Sequence, residues 1–200
     1  MRVTDDPNQT ARRPPRERAD AARNRRRILE AAARLFAEHG VDGVTMDAVA
    51  QAAAVGKGTV FRRFGDKSGL VAALLDERER QLQAAVLSGD PPLGPGAPPE
   101  QRVAAFLDAY VSYLADHLEL VRLSETAAPG ARYRIGAYHF WHRHLALLCA
   151  HVPDPDHLAH VLLGALDADL NRALLDRGYD WPRIRAGVGD LAARILGGGP

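Results

Sequence analysis

An all-α fold is what this sequence predicts, on three observations. From residue 24 to 196, apolar residues recur at three- and four-residue steps, the spacing that gathers side chains on one helix face. Glycine and proline punctuate those stretches at Gly40, at 88–99, at Pro129 and Gly130, and at Pro153 and Pro155. Between Thr45 and Lys67 two short helical patterns meet at a corner of small residues. The expectation is about nine helices in two parts, a three-helix unit over 23–66 and a helical domain over 67–200.

The first helix starts near Asn24, carries Ile28, Leu29, Ala32, Leu35 and Phe36 on one stripe, and is capped by Gly40. Thr45 is placed to cap the second by accepting from an amide two or three residues on, with Asp47 favouring the positive helix end. Met46, Val49, Ala50 and Ala53 form its inner face, and Ala52 and Ala54 let the next helix cross closely. The third helix opens at Gly56, Lys57, Gly58 and Thr59 and buries Val60 and Phe64, leaving Lys57, Thr59, Arg62 and Arg63 outward. A short helix with a basic exposed front fits a DNA major groove.

A fourth helix over about 67–87 would run on the order of 30 Å. The segment SGDPPLGPGAPP, 88–99, cannot continue it and is expected to be a linker. Helices then follow over Glu100–Asp116 with a shorter apolar piece to Leu123, over Ala131–Val152, over Asp156–Arg177 and over Pro182–Leu196. Residues 1–22 are polar, rich in proline and arginine, and are expected to be a disordered basic arm. Arg12, Arg13, Arg16 and Arg18 there serve either phosphate and minor-groove contacts or simply a solvated tail.

Composition narrows the function. With 46% hydrophobic residues in 200, a sizeable core can form. No apolar run approaches the roughly 18 residues of a membrane span, and the N-terminus lacks the apolar middle of a signal peptide, so the cytoplasm is expected. Cys149, the one cysteine, excludes an intrachain disulfide and a cysteine-based zinc site. The net charge of +1 divides unevenly, with 13 Lys or Arg against 8 Asp or Glu in 1–65 and 13 against 17 beyond, so the positive part holds the paired short helices. No Gly-x-Ser-x-Gly or His-Glu-x-x-His occurs, and the run from Val55 to Thr59 is only superficially a phosphate loop, so an enzyme is not expected. No cofactor is expected.

The stretch RILEAAARLFAEHGVDGVTMDAVAQAAAVGKGTVFRRFGDKSGLVAALL, Arg27–Leu75, resembles the tetracycline-repressor (TetR) family of bacterial transcription regulators. The spacing of Phe36, Gly40, Thr45, the Gly58–Phe61 run, Phe64 and Asp66–Ser68 carries the resemblance, which covers about a quarter of the chain closely. It implies an N-terminal helix-turn-helix DNA-binding domain and a C-terminal domain for effector binding and dimerisation. The expected DNA contacts are Arg26, Thr45, Gly56, Lys57, Thr59, Phe61, Arg62, Arg63 and Lys67. Thr45 and Lys67 would hold phosphate from helix starts; which cation reads a base stays open. The family usually has glycine at 54, serine at 56 and tyrosine at 61, where this chain has Ala54, Gly56 and Phe61. The changes at 56 and 61 remove two hydroxyls.

The expected partners are a double-stranded operator, a second copy of the chain and an unidentified small molecule whose binding releases a repressor from DNA. Phe106, Tyr110, Tyr113, Tyr138, Trp141, His142 and Asp169 either line that molecule's pocket or belong to core and surface. Leu158, Val161, Leu162, Ala165, Leu166, Ile184, Val188, Leu191 and Ile195 on the last two predicted helices are the expected dimer interface. His139 with His142, and His157 with His160, repeat a three-residue spacing, but sequence fixes no acidic or cysteine partner and no metal site is expected. The alternative is a helical small-molecule-binding or protein-interaction dimer that has lost DNA reading.

Overall fold

Helix-forming patterns become nine α-helices and one short 3₁₀ turn among the described residues, which in this computed structural model are 15–126 and 129–197. In order they are α1 (Pro15–His39), α2 (Met46–Ala52), α3 (Lys57–Phe64), α4 (Lys67–Ser88), α5 (Pro99–Glu125), the 3₁₀ turn Arg132–Arg134, α6 (Gly136–Leu148), α7 (Pro155–Ala165), α8 (Ala168–Asp176) and α9 (Trp181–Gly197). No strand occurs among these residues. None of the helices is long and apolar enough to cross a membrane. The chain divides into two compact units, Met1–Leu70 and Val71–Pro200, with the division inside α4.

In the first unit α2 packs against both α1 and α3. Ile28, Leu29, Ala32 and Phe36 of α1, Val49 and Ala50 of α2 and Val60 of α3 are all buried, so one apolar stripe from each helix makes the core. Gly40 ends α1 at φ +70°, a conformation that costs glycine little. The first helix begins at Pro15, not near Asn24. Its apolar stripe does start late, but proline suits a first turn and Ala19, Ala21 and Ala22 are strong helix formers, with Arg23 paired to Asp20 one turn away. The expected arm is therefore helical from 15 onward; Arg12 and Arg13, and the side chains of Arg16 and Arg18, lie outside the described residues.

In the second unit α5 packs against α6, α8 and α9, and α6 against α7. Phe106, Leu114, Trp141, Leu145, Leu162 and Leu166 are essentially inaccessible and form its centre. The expected two-piece pattern over 100–123 appears in α5 as two helical pieces that meet at a kink, with His117 non-helical (φ −138°, ψ 17°) between Asp116 and Leu118. Within 88–99, a Cβ at Gly94 would stand 1.8 Å from Gly89 O, so only glycine closes that loop.

Two expected helices differ. The helix over 131–152 is shorter, because a 3₁₀ turn precedes it and Cys149 caps it, while Pro155 opens α7 under the Asp154 cap. The expected helix 156–177 is two, α7 and α8, broken at Leu166 and Asp167. The Asp167 carboxylate accepts from Leu170 N at 2.8 Å and so starts a new helix. At the same break the buried Arg132 guanidinium donates to Leu163 O at 2.6 Å, and Glu125 Oε2 accepts from Ala168 N at 3.1 Å. Arg132 and Glu125 also pair with each other. One ion pair thus satisfies a carbonyl at the end of α7 and an amide at the start of α8.

Candidate nucleic-acid interface

Burial of Val60, with Phe64 half-buried beside it, fixes which way α3 faces. Lys57, Gly58, Phe61 and Arg62 are exposed, two pairs of residues four apart that make one outer face. Thr59 is half-buried at its edge. The Thr45 hydroxyl accepts from Ala48 N at 3.2 Å, as the sequence predicts, and remains exposed with its proton available to an acceptor. Gly56, in extended conformation (φ −67°, ψ 140°), caps α3 without a side chain. The first amides of α3 therefore lack a side-chain acceptor from the cap, and a helix start of this kind suits an anion. A Cβ at Gly56 would meet only Thr59 Oγ1 at 3.9 Å, so nothing steric demands glycine there.

The cations differ more than their spacing suggests. Lys57 Nζ bonds Asp47 Oδ2 at 2.7 Å and lies 5.6 Å from the Phe61 ring centre. Both members of that pair are exposed, so the pairing is weak and exchangeable. Arg63 is exposed, as expected, but its guanidinium donates to Ala21 O of α1. Lys67, expected on phosphate, donates to Val41 O at 2.8 Å and Val44 O at 3.2 Å, with Asp42 O at 3.5 Å. It holds the loop between α1 and α2, whose carbonyls otherwise lack helical partners. Arg26 is exposed on α1. At the corner between α2 and α3, Ala54 takes φ +49°.

In the second unit, Phe106, Tyr110, Tyr113, Tyr138 and Trp141 are all buried; the rings of four of them form a chain from Phe106 to Tyr110 (5.8 Å), Tyr110 to Tyr113 (5.4 Å) and Phe106 to Trp141 (5.3 Å), while Tyr138 lies apart against Tyr133 (5.2 Å) and His160 (5.9 Å). They are mainly core. His144 joins them 5.6 Å from Phe106, its imidazole pushed down to about 4 by burial and then by Arg102, hence neutral. Asp169, expected near the pocket, is exposed and pairs with Arg122 Nε at 2.9 Å, because the helix break turns it outward. Tyr138 and His142 do line a cleft of ≈ 540 Å³ with Tyr133, His139 and His160. A second cleft of ≈ 440 Å³ lies along α4 and the start of α6, with Asp76, Glu79, Arg80 and Gln83 on one side and Ser124 and Ile135 on the other. Glu79 there is raised to about 7 by burial and by the nearby Asp76 charge. Sequence reasoning missed this cleft; Asp76 and Glu79, three apart on α4, were its visible signal.

The residues expected between two chains separate by burial. Leu158, Leu162, Leu166, Ile184 and Val188 are buried within the single chain, so they are core and do not supply a free face. Leu162 and Leu166 are inward because α7 packs on α6. Val161 is exposed, and Ala165, Leu191 and Ile195 are half-buried.

Residues 28–74 match the model of the bacterial regulatory proteins of the tetR family. HTH-type transcriptional regulators of Staphylococcus aureus, in strains USA300 and COL, are 47% identical over 53 residues, 26% of this chain and 29% of those proteins. The match thus spans less than a third of these curated relatives. Similar solved structures include a transcriptional regulator from Rhodococcus sp. Rha1 (TM-score 0.68, 19% identity, covering 86% of this chain and 96% of that one). A fatty acid degradation regulator from Bacillus halodurans has TM-score 0.64 and 19% identity, covering 84% and 94%. A TetR-family regulator from Pectobacterium atrosepticum has TM-score 0.62 and 21% identity, covering 90% and 95%. At these identities the structures establish the shared fold. The helix-turn-helix at Met46–Phe64 lies inside the segment, residues 28–74, that matches the tetR family of bacterial regulatory proteins, and the helices beyond it share the fold of these solved structures.

Proposed function

We propose that the protein is a transcriptional regulator that binds a double-stranded operator as a homodimer. A small molecule in the C-terminal unit releases it, and it works in the cytoplasm as a repressor. The observation that carries the DNA contact is the outer face of α3, where Lys57, Phe61 and Arg62 stand exposed over the buried Val60. Arg62 is the cation on that face that the protein does not spend on Asp47 or on an α1 carbonyl, and arginine against guanine is the commonest specific base contact. Thr45 and the uncapped amides after Gly56 supply phosphate contacts that set register.

The effector reading is supported by the two clefts of the second unit, the larger lined by Tyr133, Tyr138 and three histidines and the other by Asp76, Glu79 and Gln83. α4 carries Asp76, Glu79 and Gln83 along one cleft, and its first turn is part of the DNA-binding unit. Ligand occupancy and DNA affinity therefore act on one helix.

The test is binding to duplex DNA from the intergenic region upstream of the protein's own coding sequence. Arg62→Ala should weaken binding about 10- to 100-fold, corresponding to about 1–3 kcal/mol, with unchanged melting. Arg63→Ala should cost less affinity and some stability. Undiminished binding by Arg62→Ala would displace the reading surface from α3. Absence of binding by the unaltered protein at low salt would favour the alternative, a ligand-binding dimer without DNA reading, to which the internally paired Lys57 and Arg63 lend weight.

A further inference from the structure

We propose that His142 of α6 and Asp156 and His160 of α7 form a binding site for one divalent transition-metal ion, independent of the DNA-binding reading. Each residue offers a ligand atom, and these atoms all lie within 4.8 Å of one another. His142 Nε2 stands 3.5 Å from Asp156 Oδ1, close to the separation that two ligands about 2 Å from a shared tetrahedral ion require; it also lies 3.1 Å from Asp156 O, to which it donates, and the ion displaces that proton. The His142 and His160 ring centres are 4.1 Å apart. The repeated three-residue spacing thus resolves into one histidine from each pair.

The surroundings are those of a ligand site and not of packing alone. The two imidazoles line the ≈ 540 Å³ cleft with Tyr133, Tyr138 and His139, so an ion can reach them from solvent. Tyr138 Oη lies 2.7 Å from His160 Nδ1, an outer hydrogen bond of the kind that orients a metal-ligating imidazole. Asp154, the other nearby acid, is committed to capping α7 through His157 N at 3.0 Å, which leaves Asp156 as the carboxylate of the site. Two imidazoles and a carboxylate suit zinc, nickel or cobalt better than calcium or magnesium, which prefer oxygen donors. Further coordination positions are left for water. Bound there, the ion ties α6 to the first turns of α7.

Isothermal titration of the EDTA-stripped full chain with zinc chloride tests the site, and cobalt chloride adds the visible absorption of a Co²⁺ centre. One saturating ion per chain is expected. His142→Ala, His160→Ala and Asp156→Asn should each weaken it about tenfold or more and diminish the cobalt band, while His157→Ala leaves both unchanged. Melting in EDTA identifies any variant that misfolds, and the remaining two then decide. No saturable binding, or binding that survives both histidine substitutions, overturns the proposal.

Discussion

At Ala54 the backbone adopts φ +49°, and the Cβ there meets the following carbonyl more closely than in any right-handed conformation. The side chain is exposed, so it gains nothing from packing to offset that strain. Ala54→Gly should raise stability by about 1 kcal/mol, read as a higher urea midpoint for the full chain, even after the extra freedom glycine has when unfolded. The sign of this conformation in the sequence was the family's usual glycine at 54, where this chain has Ala54. Thr45 was legible as well, since a cap is a local device. Lys67 was not, because the carbonyls it braces lie 23 to 26 residues earlier and only the folded chain brings them near.

Helix lengths show the same divide between local and distant causes. The end of α1 at Gly40 follows from the residue at that place, and the interruption of α5 at His117 falls where the apolar pattern itself divides. The break between α7 and α8 depends on Glu125 and Arg132 as much as on Asp167, and apolar periodicity runs through it without a mark. The aromatic residues proved mostly core for a related reason: periodicity identifies an inner face but not whether a helix or a ligand lies against it.

On α4, Glu79 has a folded-state pKa of about 7 against an ordinary 4.5. Because the folded value is the higher one, the stability linked to this group is fully present below about pH 4.5 and is lost as pH rises through 7. Denaturation curves from about pH 5 to about pH 8 should therefore show a decline on the order of 1–2 kcal/mol, reduced for partial exposure, that Glu79→Gln removes.

For the molecule as a whole, the burial of Leu158, Leu162, Ile184 and Val188 in one chain shifts the proposed dimer contact to what remains outside. Val161 and Leu170 are exposed apolar residues, and no side chain lies within 4 Å of a Cβ added at Gly164. Val161→Glu should weaken self-association about tenfold or more in sedimentation equilibrium while leaving the helical content unchanged, since an isologous contact repeats each substitution twice. An unaltered dimer would place the contact elsewhere.

The bond between Asp47 and Lys57 spans the corner of the helix-turn-helix and occupies the very ammonium that duplex DNA would attract. Any phosphate that engages Lys57 must first evict a carboxylate and then tolerate it nearby. That cost is small, because both partners are exposed, and it falls equally on every duplex. In the proposed regulator the acid is thus an internal competitor that trims affinity for all DNA alike and leaves Arg62 to set the preference of one site over another.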